Sequence, residues 1–327
     1  EPNVGLVNVP DIRLDQLAEL VHPNRTVPTQ IEIVDIAGLV RGASKGEGLG
    51  NKFLANIREV DAIIHVIRCF EDENILRDEG AINPVGDKEI IDTELQLKDL
   101  DAVDRKIQKS EKLAKSDPKL KAELEILQQC KAHLEKGKSI RELGLSKDEK
   151  SAIADLFLLT DKPVLYVANV DEASMHTGNK FSDALKAAVA SEDAEVIIMN
   201  NSIEAQISEM DNGDDKQLFM EEYKMKEPAL GRLIHSAYRL LKLFTYFTAG
   251  VQEVRAWTIH EGWKAPQAAS VIHTDFEKGF IKAEVIGYDD FINFKSEAAC
   301  REAGKLRIEG KEYVVKDGDV MHFRFNV

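Results

Sequence analysis

The sequence predicts an α/β protein whose main domain is a doubly wound parallel sheet. Three apolar runs suggest it: Ala62–Ile67, Val164–Ala168 and Glu195–Met199 each read as a strand buried on both faces, as parallel strands are. A helical stretch, Phe181–Val189, separates the last two, and strands alternating with helices argue for βαβ units. The charge distribution is the third observation. The 327 residues carry a net charge of −15, yet 92–159 is neutral, with 14 acids and 14 bases, and 244–327 is only −2. The remaining −13 falls on 1–91 and 160–243 together, as expected of one domain interrupted by an insertion.

In chain order, Val4–Val9 reads as a short strand ended by Pro10. Leu14, Leu17, Ala18 and Val21 then recur at helical spacing behind Asp11, a good N-cap. Gln30–Val34 is a strand running into Asp35, and Gly38–Gly50 is a loop with five glycines before a helix marked by Phe53, Ile57 and Val60. In 92–159, Leu100, Val103 and Ile107 form one apolar stripe, and Leu120, Leu124, Leu127 and Leu134 form another. Pro118 starts rather than continues a helix, so two antiparallel helices joined at Ser116-Asp117 are predicted, either a spacer or a partner-binding arm. Beyond Leu243, Val254–Ile259, Phe280–Ile286 and Met321–Phe325 read as strands, and Lys316-Asp317-Gly318-Asp319 as a turn, giving a small α+β domain. The expected domains are therefore 1–91 plus 160–243, 92–159, and 244–327.

Several function classes are excluded. No apolar run approaches the ~18 residues of a membrane span, and the first residues have neither a basic nor an apolar leader region. Cys69, Cys130 and Cys300 are widely spaced, so neither a zinc site nor a disulfide framework is expected, and a reducing, cytoplasmic setting fits. The acidic balance rules out a uniformly basic nucleic-acid coat.

The chemistry is concentrated in two places. Asp35-Ile36-Ala37-Gly38 follows a strand, where open α/β sheets bind ligands. An Asp there suits the magnesium shell of a nucleoside triphosphatase, and a Gly can offer its N–H to a terminal phosphate. Asn169-Val170-Asp171-Glu172 follows another buried strand, where GTPases place Asn-Lys-x-Asp to hold the base. Val170 removes the cationic stem and Glu172 lengthens the carboxylate, so base choice should differ. Asn201 and Ser202 follow the next strand, at the position of a second base-contacting loop. Leu39 stands where Ras-like GTPases carry a water-orienting Gln, which predicts slow intrinsic hydrolysis. His65, inside a strand, is read as a core histidine.

These residues also carry a resemblance. Asp35–Leu54 resembles the switch II region of the Obg-like ATPases, the YchF subfamily of P-loop NTPases, and Asn169–Glu172 matches that subfamily's base motif. Phe247–Trp257, His273–Phe280 and Asp317–Val327 resemble the family's TGS domain, a β-grasp module. The resemblance covers nearly the whole chain. It implies an ATPase with a P-loop NTPase-type sheet, a helical coiled-coil insertion and a C-terminal TGS domain, which prefers ATP to GTP and associates with the ribosome. By the same analogy Asp35 holds Mg2+ through water, Gly38 senses the γ-phosphate, and Asn169, Val170, Glu172, Asn201 and Ser202 line the base pocket. Two departures stand out. No G-x-x-x-x-G-K-[ST] occurs in the sequence, so the phosphate loop and the direct magnesium ligands are expected ahead of Glu1, and the chain as written should bind nucleotide weakly. Arg77 occupies a position where many relatives have His. The rival readings are a conventional GTPase, and an adaptor with a vestigial nucleotide site. A monomer is expected. Basic candidates for ribosome contact are Lys106–Lys121 in the insertion and Arg301, Lys305, Arg307 and Lys311 near the C-terminus.

Overall fold

The computed structural model describes residues 3–36, 49–73, 81–113, 118–192, 194–210 and 213–326. Along the chain these form β1 (Asn3–Asn8), α1 (Ile12–Val21), β2 (Thr26–Val27), β3 (Gln30–Asp35), α2 (Leu49–Glu59), β4 (Ile63–Arg68), α3 (Pro84–Leu113), α4 (Pro118–Leu134) and α5 (Lys147–Ala152). Then follow β5 (Val164–Asn169), α6 (Lys180–Val189), β6 (Val196–Met199), α7 (Asn201–Glu209), α8 (Asp214–Glu222), α9 (Ala229–Leu240), β7 (Leu243–Ala249) and β8 (Val254–His260). The last elements are α10 (Ala265–Ser270), α11 (Thr274–Lys278), β9 (Phe280–Gly287), α12 (Tyr288–Phe294), α13 (Glu297–Glu302), β10 (Arg307–Glu309) and β11 (Asp319–Phe325). The chain divides into two compact units, residues 1–3 with 34–230 and residues 4–33 with 231–327.

In the first unit, β4, β5 and β6 form a parallel sheet in that order. Five consecutive β5 residues, Val164–Ala168, are buried, as their uninterrupted apolar run requires of a central parallel strand. Leu185 and Val189 of α6 close over Tyr166, Ala168 and Val170. The helices α3 and α4 form the predicted antiparallel pair. Val103 and Ile107 pack with Ile126, Leu127, Cys130 and Leu134, and Asp104 pairs with Lys131 at 2.6 Å. Pro118 begins α4 as expected, while the 114–117 turn lies outside the described residues. The helix α3 runs unbroken from Pro84, so the expected boundary at 92 falls inside it.

Its N-terminal half is bound into the core by a buried charge network. Lys88 Nζ lies 2.6 Å from Asp92 and 2.5 Å from Glu192, and Tyr166 donates to Glu192 at 2.7 Å. Burial pulls the Lys88 ammonium down, but Asp92 and Glu192 outweigh it and leave it above its ordinary range. Further along α3, buried Asp99 accepts from the Leu159 and Thr160 N–H groups at 2.8 and 2.7 Å.

The second unit is a six-stranded sheet in the order β10-β9-β11-β7-β8-β2. One face packs Tyr246, Ile259, Val285, Met321 and Phe323 with Ala268 and Ala269 of α10. The other face packs Phe247, Val254, Ala256, Ile286 and Val320 with Leu14 and Leu17 of α1, Phe291 of α12 and Cys300 of α13. Here the structure differs from the expected partition, which grouped all of 1–91 with 160–243. The helix α1 has an apolar stripe that needs a partner, and finds it on this sheet. Strand β2 pairs in parallel with β8, and Arg13 bonds Asp317 at 2.6 Å. Strands β1 and β3 pair with each other as a two-stranded ribbon, separate from β4-β5-β6. The Gly318 turn forms as predicted, with φ +88°, a conformation natural to glycine. Among the described residues no helix is long and apolar enough to cross a membrane.

Candidate nucleotide site

The C-terminal ends of β4, β5 and β6 bring most of the predicted base-contacting residues together. Asn169 ends β5, level with Arg68 of β4 and Met199 of β6. Its backbone carbonyl accepts from Cys69 N–H at 2.8 Å, and its side-chain Oδ1 accepts from Asn201 N–H at 3.1 Å. The amide thus satisfies one of the donors left free in the first turn of α7 and fixes the loop after β6 against the loop after β5.

Asn200 completes the bridge from the other side. Its Nδ2 donates to the Val170 carbonyl at 2.8 Å, while its Oδ1 caps α7 by accepting from Ile203 N–H at 2.9 Å. Val170 also donates its backbone N–H to the Met199 carbonyl at 3.0 Å, and its side chain is buried. Asp171 caps a single helical turn at 172–174 by accepting from Ser174 N–H at 2.9 Å. Glu172 opens that turn and is exposed, with no side-chain hydrogen bond among the described residues. Ser202 is exposed on the first turn of α7.

Asn201 Oδ1 is buried and has no donor among the described residues. A buried acceptor left unsatisfied costs about 1–3 kcal/mol, so this position favours a ligand that brings an N–H. The exocyclic amine of adenine is such a donor, and so are the ring N–H and exocyclic amine of guanine.

Asn179 and Cys69 were not singled out as site residues from the sequence. Asn179 Nδ2 donates to the Cys69 carbonyl at 2.8 Å and to Ser174 Oγ at 3.2 Å, while its Oδ1 caps α6. Its position just before an apolar-periodic helix was a legible N-cap signal. A cavity of about 420 Å³ lies here, lined by Glu71, Asp171, Asn179, Lys180 and Phe181. A second cavity, of about 380 Å³, involves Asp61, Pro163, Lys147 and Lys162 at the opposite, N-terminal ends of β4 and β5, away from where open α/β sheets bind ligands.

The remaining predicted residues are not joined to this cluster. Asp35 is exposed at the end of β3, with no side-chain hydrogen bond among the described residues. Gly38, Leu39 and Arg77 lie outside the described residues. No group of three or more His, Cys, Asp or Glu side chains converges as a metal cage among the described residues. One exposed carboxylate is nonetheless what magnesium asks of a protein when phosphates and water supply its other ligands. His65 is partly buried 5.7 Å from the Tyr166 ring, and burial, with Lys88 and Arg141 nearby, pushes its imidazole down to about 4.

Comparison with known proteins gives the family. A family model described as "50S ribosome-binding GTPase" matches residues 15–115, and the YchF-GTPase C-terminal model, "Protein of unknown function (DUF933)", matches residues 243–326. The "Ribosome-binding ATPase YchF" of Escherichia coli O157:H7 is 54% identical over 328 residues, spanning 100% of this chain and 90% of the relative. The Bacillus subtilis (strain 168) protein of the same name is 51% identical over 330 residues, with the same coverage. The solved structure of the Schizosaccharomyces pombe YchF GTPase matches at a TM-score of 0.89 and 38% identity, covering 99% of this chain and 88% of that one.

Proposed function

We propose a function from one premise: the chain belongs to the YchF family. It acts as a nucleoside triphosphatase that prefers ATP and works at the ribosome as a nucleotide-dependent switch in the cytoplasm, as a monomer. The observation that carries the ATP preference is the cross-tied pair of loops at Asn169–Glu172 and Asn200–Ser202. Asn201 Oδ1 is left without a donor in that tie, and the exocyclic amine of adenine is one group that would supply it. Val170 packs into the core under α6 and leaves no cationic stem where a GTPase has a lysine. Relatives named as ribosome-binding ATPases support both the reaction and the partner.

Asp35 would hold magnesium through water, and the metal would neutralise phosphate charge during transfer. Gly38 and Leu39 belong to the switch by analogy with the family. Leu39 offers no donor or acceptor to orient water, so unstimulated turnover is slow. The functional parts we assign are a nucleotide domain, a helical insertion centred on 92–159 and a TGS domain in 244–327, with α1 and β2 packed on the sheet of the second unit.

Competition between ATP and GTP for the intact gene product tests the reading. A clear ATP preference that shrinks in Asn201→Ala supports it. Equal or reversed preference in the wild type would give the site to a conventional GTPase, with Glu172 accepting the guanine N–H groups.

A further inference from the structure

In Leu156-Phe157-Leu158-Leu159 every side chain is large and apolar, yet the aromatic one is left out of the core. Leu158 packs with Ile153 and Leu134 inside the helical hairpin, with Leu156 at the edge of that cluster. Leu159 packs with Leu54 and Leu95. Phe157 is turned out and is 63% exposed.

The backbone holds it there. Phe157 ends the single turn 154–156 with φ +47° and ψ 53°, and its N–H donates to the Ala154 carbonyl at 3.1 Å. In this left-handed region a side chain crowds its own backbone, and glycine is the usual occupant. The other non-glycine residues with positive φ among those described are His22, Lys224, Lys242 and Lys295, all polar. Backbone strain thus fixes a large apolar ring in water, a combination that points to function rather than packing.

Beside the ring lies the cavity of about 380 Å³ at the N-terminal ends of β4 and β5. Ile153 and Leu158, both buried, contribute to its apolar lining. Its size is near the lower end of the roughly 300–1,000 Å³ of ligand pockets, enough for one or two side chains. Most charges around it are already used. Lys150 pairs with Asp161 at 2.6 Å, and Lys162 donates to the carbonyls of Arg58 and Val60. Asp61 offsets part of the desolvation of the Lys162 ammonium. Asp155 is held by Lys106 at 2.5 Å, and Glu149 accepts from Ser146 N–H at 2.8 Å. Lys147, exposed at the rim, has no ion-pair partner among the described residues.

We propose that this cavity docks a short segment of a protein partner that carries a bulky apolar side chain beside a carboxylate. The apolar side chain enters over Ile153 and Leu158 and lies against the Phe157 ring, and the carboxylate pairs with Lys147. A fixed aromatic at the mouth of an apolar pocket has the make-up of an interface anchor, already ordered before the partner arrives. One free cation selects an acidic segment over a basic one, whereas Asp61 and Asp161 in the lining disfavour a polyanion. The cavity lies at the end of the sheet opposite Asn169, so the partner and a nucleotide do not compete.

The test uses the 327-residue chain and an array of short synthetic peptides, each with one Leu, Met or Phe close to an Asp or Glu. Control peptides replace the acid by Lys or the apolar residue by Ser. The tightest binder, carrying a fluorophore, is then titrated by anisotropy. Phe157→Gly should weaken binding about tenfold or more, while its melting temperature holds or rises because the strain is relieved. Lys147→Glu should weaken binding severalfold and flatten its salt dependence. An array with no binder above its controls, or a binder indifferent to both substitutions, would overturn the proposal. So would a sharp fall in melting temperature in Phe157→Gly, since the ring would then serve the fold. Sedimentation showing a dimer that Phe157→Gly dissociates would overturn it too, because the occupant would be a second copy of the chain.

Discussion

The loop cluster around Asn169 and the sheet around Phe247 are held by opposite means. At Asn169, amide side chains reach across to backbone groups of neighbouring loops, and three asparagines (Asn169, Asn179, Asn200) make the ties. At Phe247, a fully buried ring joins the apolar cluster beneath α1, and Arg13 stands 5.3 Å from that ring. Loops tied by directional bonds can present unsatisfied groups such as Asn201 Oδ1, whereas a packed apolar face cannot. The comparison teaches where a ligand can be read with specificity and where only stability is at stake.

Substitutions should separate the two regions, and the largest effect belongs to the sheet. Phe247→Ala should destabilise the second unit by about 3–5 kcal/mol, leaving a cavity that its neighbours fill only in part. Denaturant unfolding checks the loss. The ATP/GTP ratio of the folded fraction should not move, and if it did, the separation of roles would be broken.

Asn169→Ala should cost less stability, about 1–3 kcal/mol, since it strands the Asn201 N–H in a partly buried site. Its effect on nucleotide affinity should exceed that of a surface substitution such as Lys186→Ala. Calorimetric titration of the intact gene product reads both. Equal affinities in wild type and Asn169→Ala would remove the loop tie from the site.

His65 gives a pH test within the first unit. Its folded-state value, about 4, lies below the ordinary 6.5, so the unfolded chain binds the extra proton between those limits. Stability should therefore be full above about pH 6.5 and should fall as pH drops towards 4, by about 2 kcal/mol after allowing for its partial exposure. His65→Gln should flatten the curve in that window. An unaltered pH profile would mean that His65 is no core histidine.

The smallest expected effect is at the switch. Leu39→Gln should raise turnover of the intact gene product only modestly, because one side chain cannot supply a whole water-positioning geometry. Rapid turnover by the wild type, within the ~1–10³ s⁻¹ of ordinary enzymes, would contradict the assignment of Leu39.

Much of this was legible in the sequence, for local reasons. The Val164–Ala168 run has one fate in a soluble fold, Pro118 can only begin a helix, and Asp11 caps α1 as its position before Leu14 suggests. The strand end at Asn169 was legible because the buried apolar run Val164–Ala168 stops there. What was hidden depends on partners far along the chain. Leu14 and Leu17 announce an apolar stripe but not that Phe247 and Val254 cover it. The bond from Arg13 to Asp317 joins residues 304 positions apart. Basic runs looked available because sequence shows charge but not pairing: Lys305 stands beside Asp290 only once α12 and α13 have folded.

The central claim is that the Asn169–Glu172 and Asn200–Ser202 loops form a base pocket selective for adenine. Its most direct test is a competition titration of ATP against GTP on the intact gene product, repeated in Asn201→Ala and Glu172→Ala. The account predicts that ATP wins in the wild type, that Asn201→Ala erodes the preference towards parity, and that Glu172→Ala weakens binding and erodes base choice as well. A preference for GTP, or an ATP preference untouched by both substitutions, would contradict it.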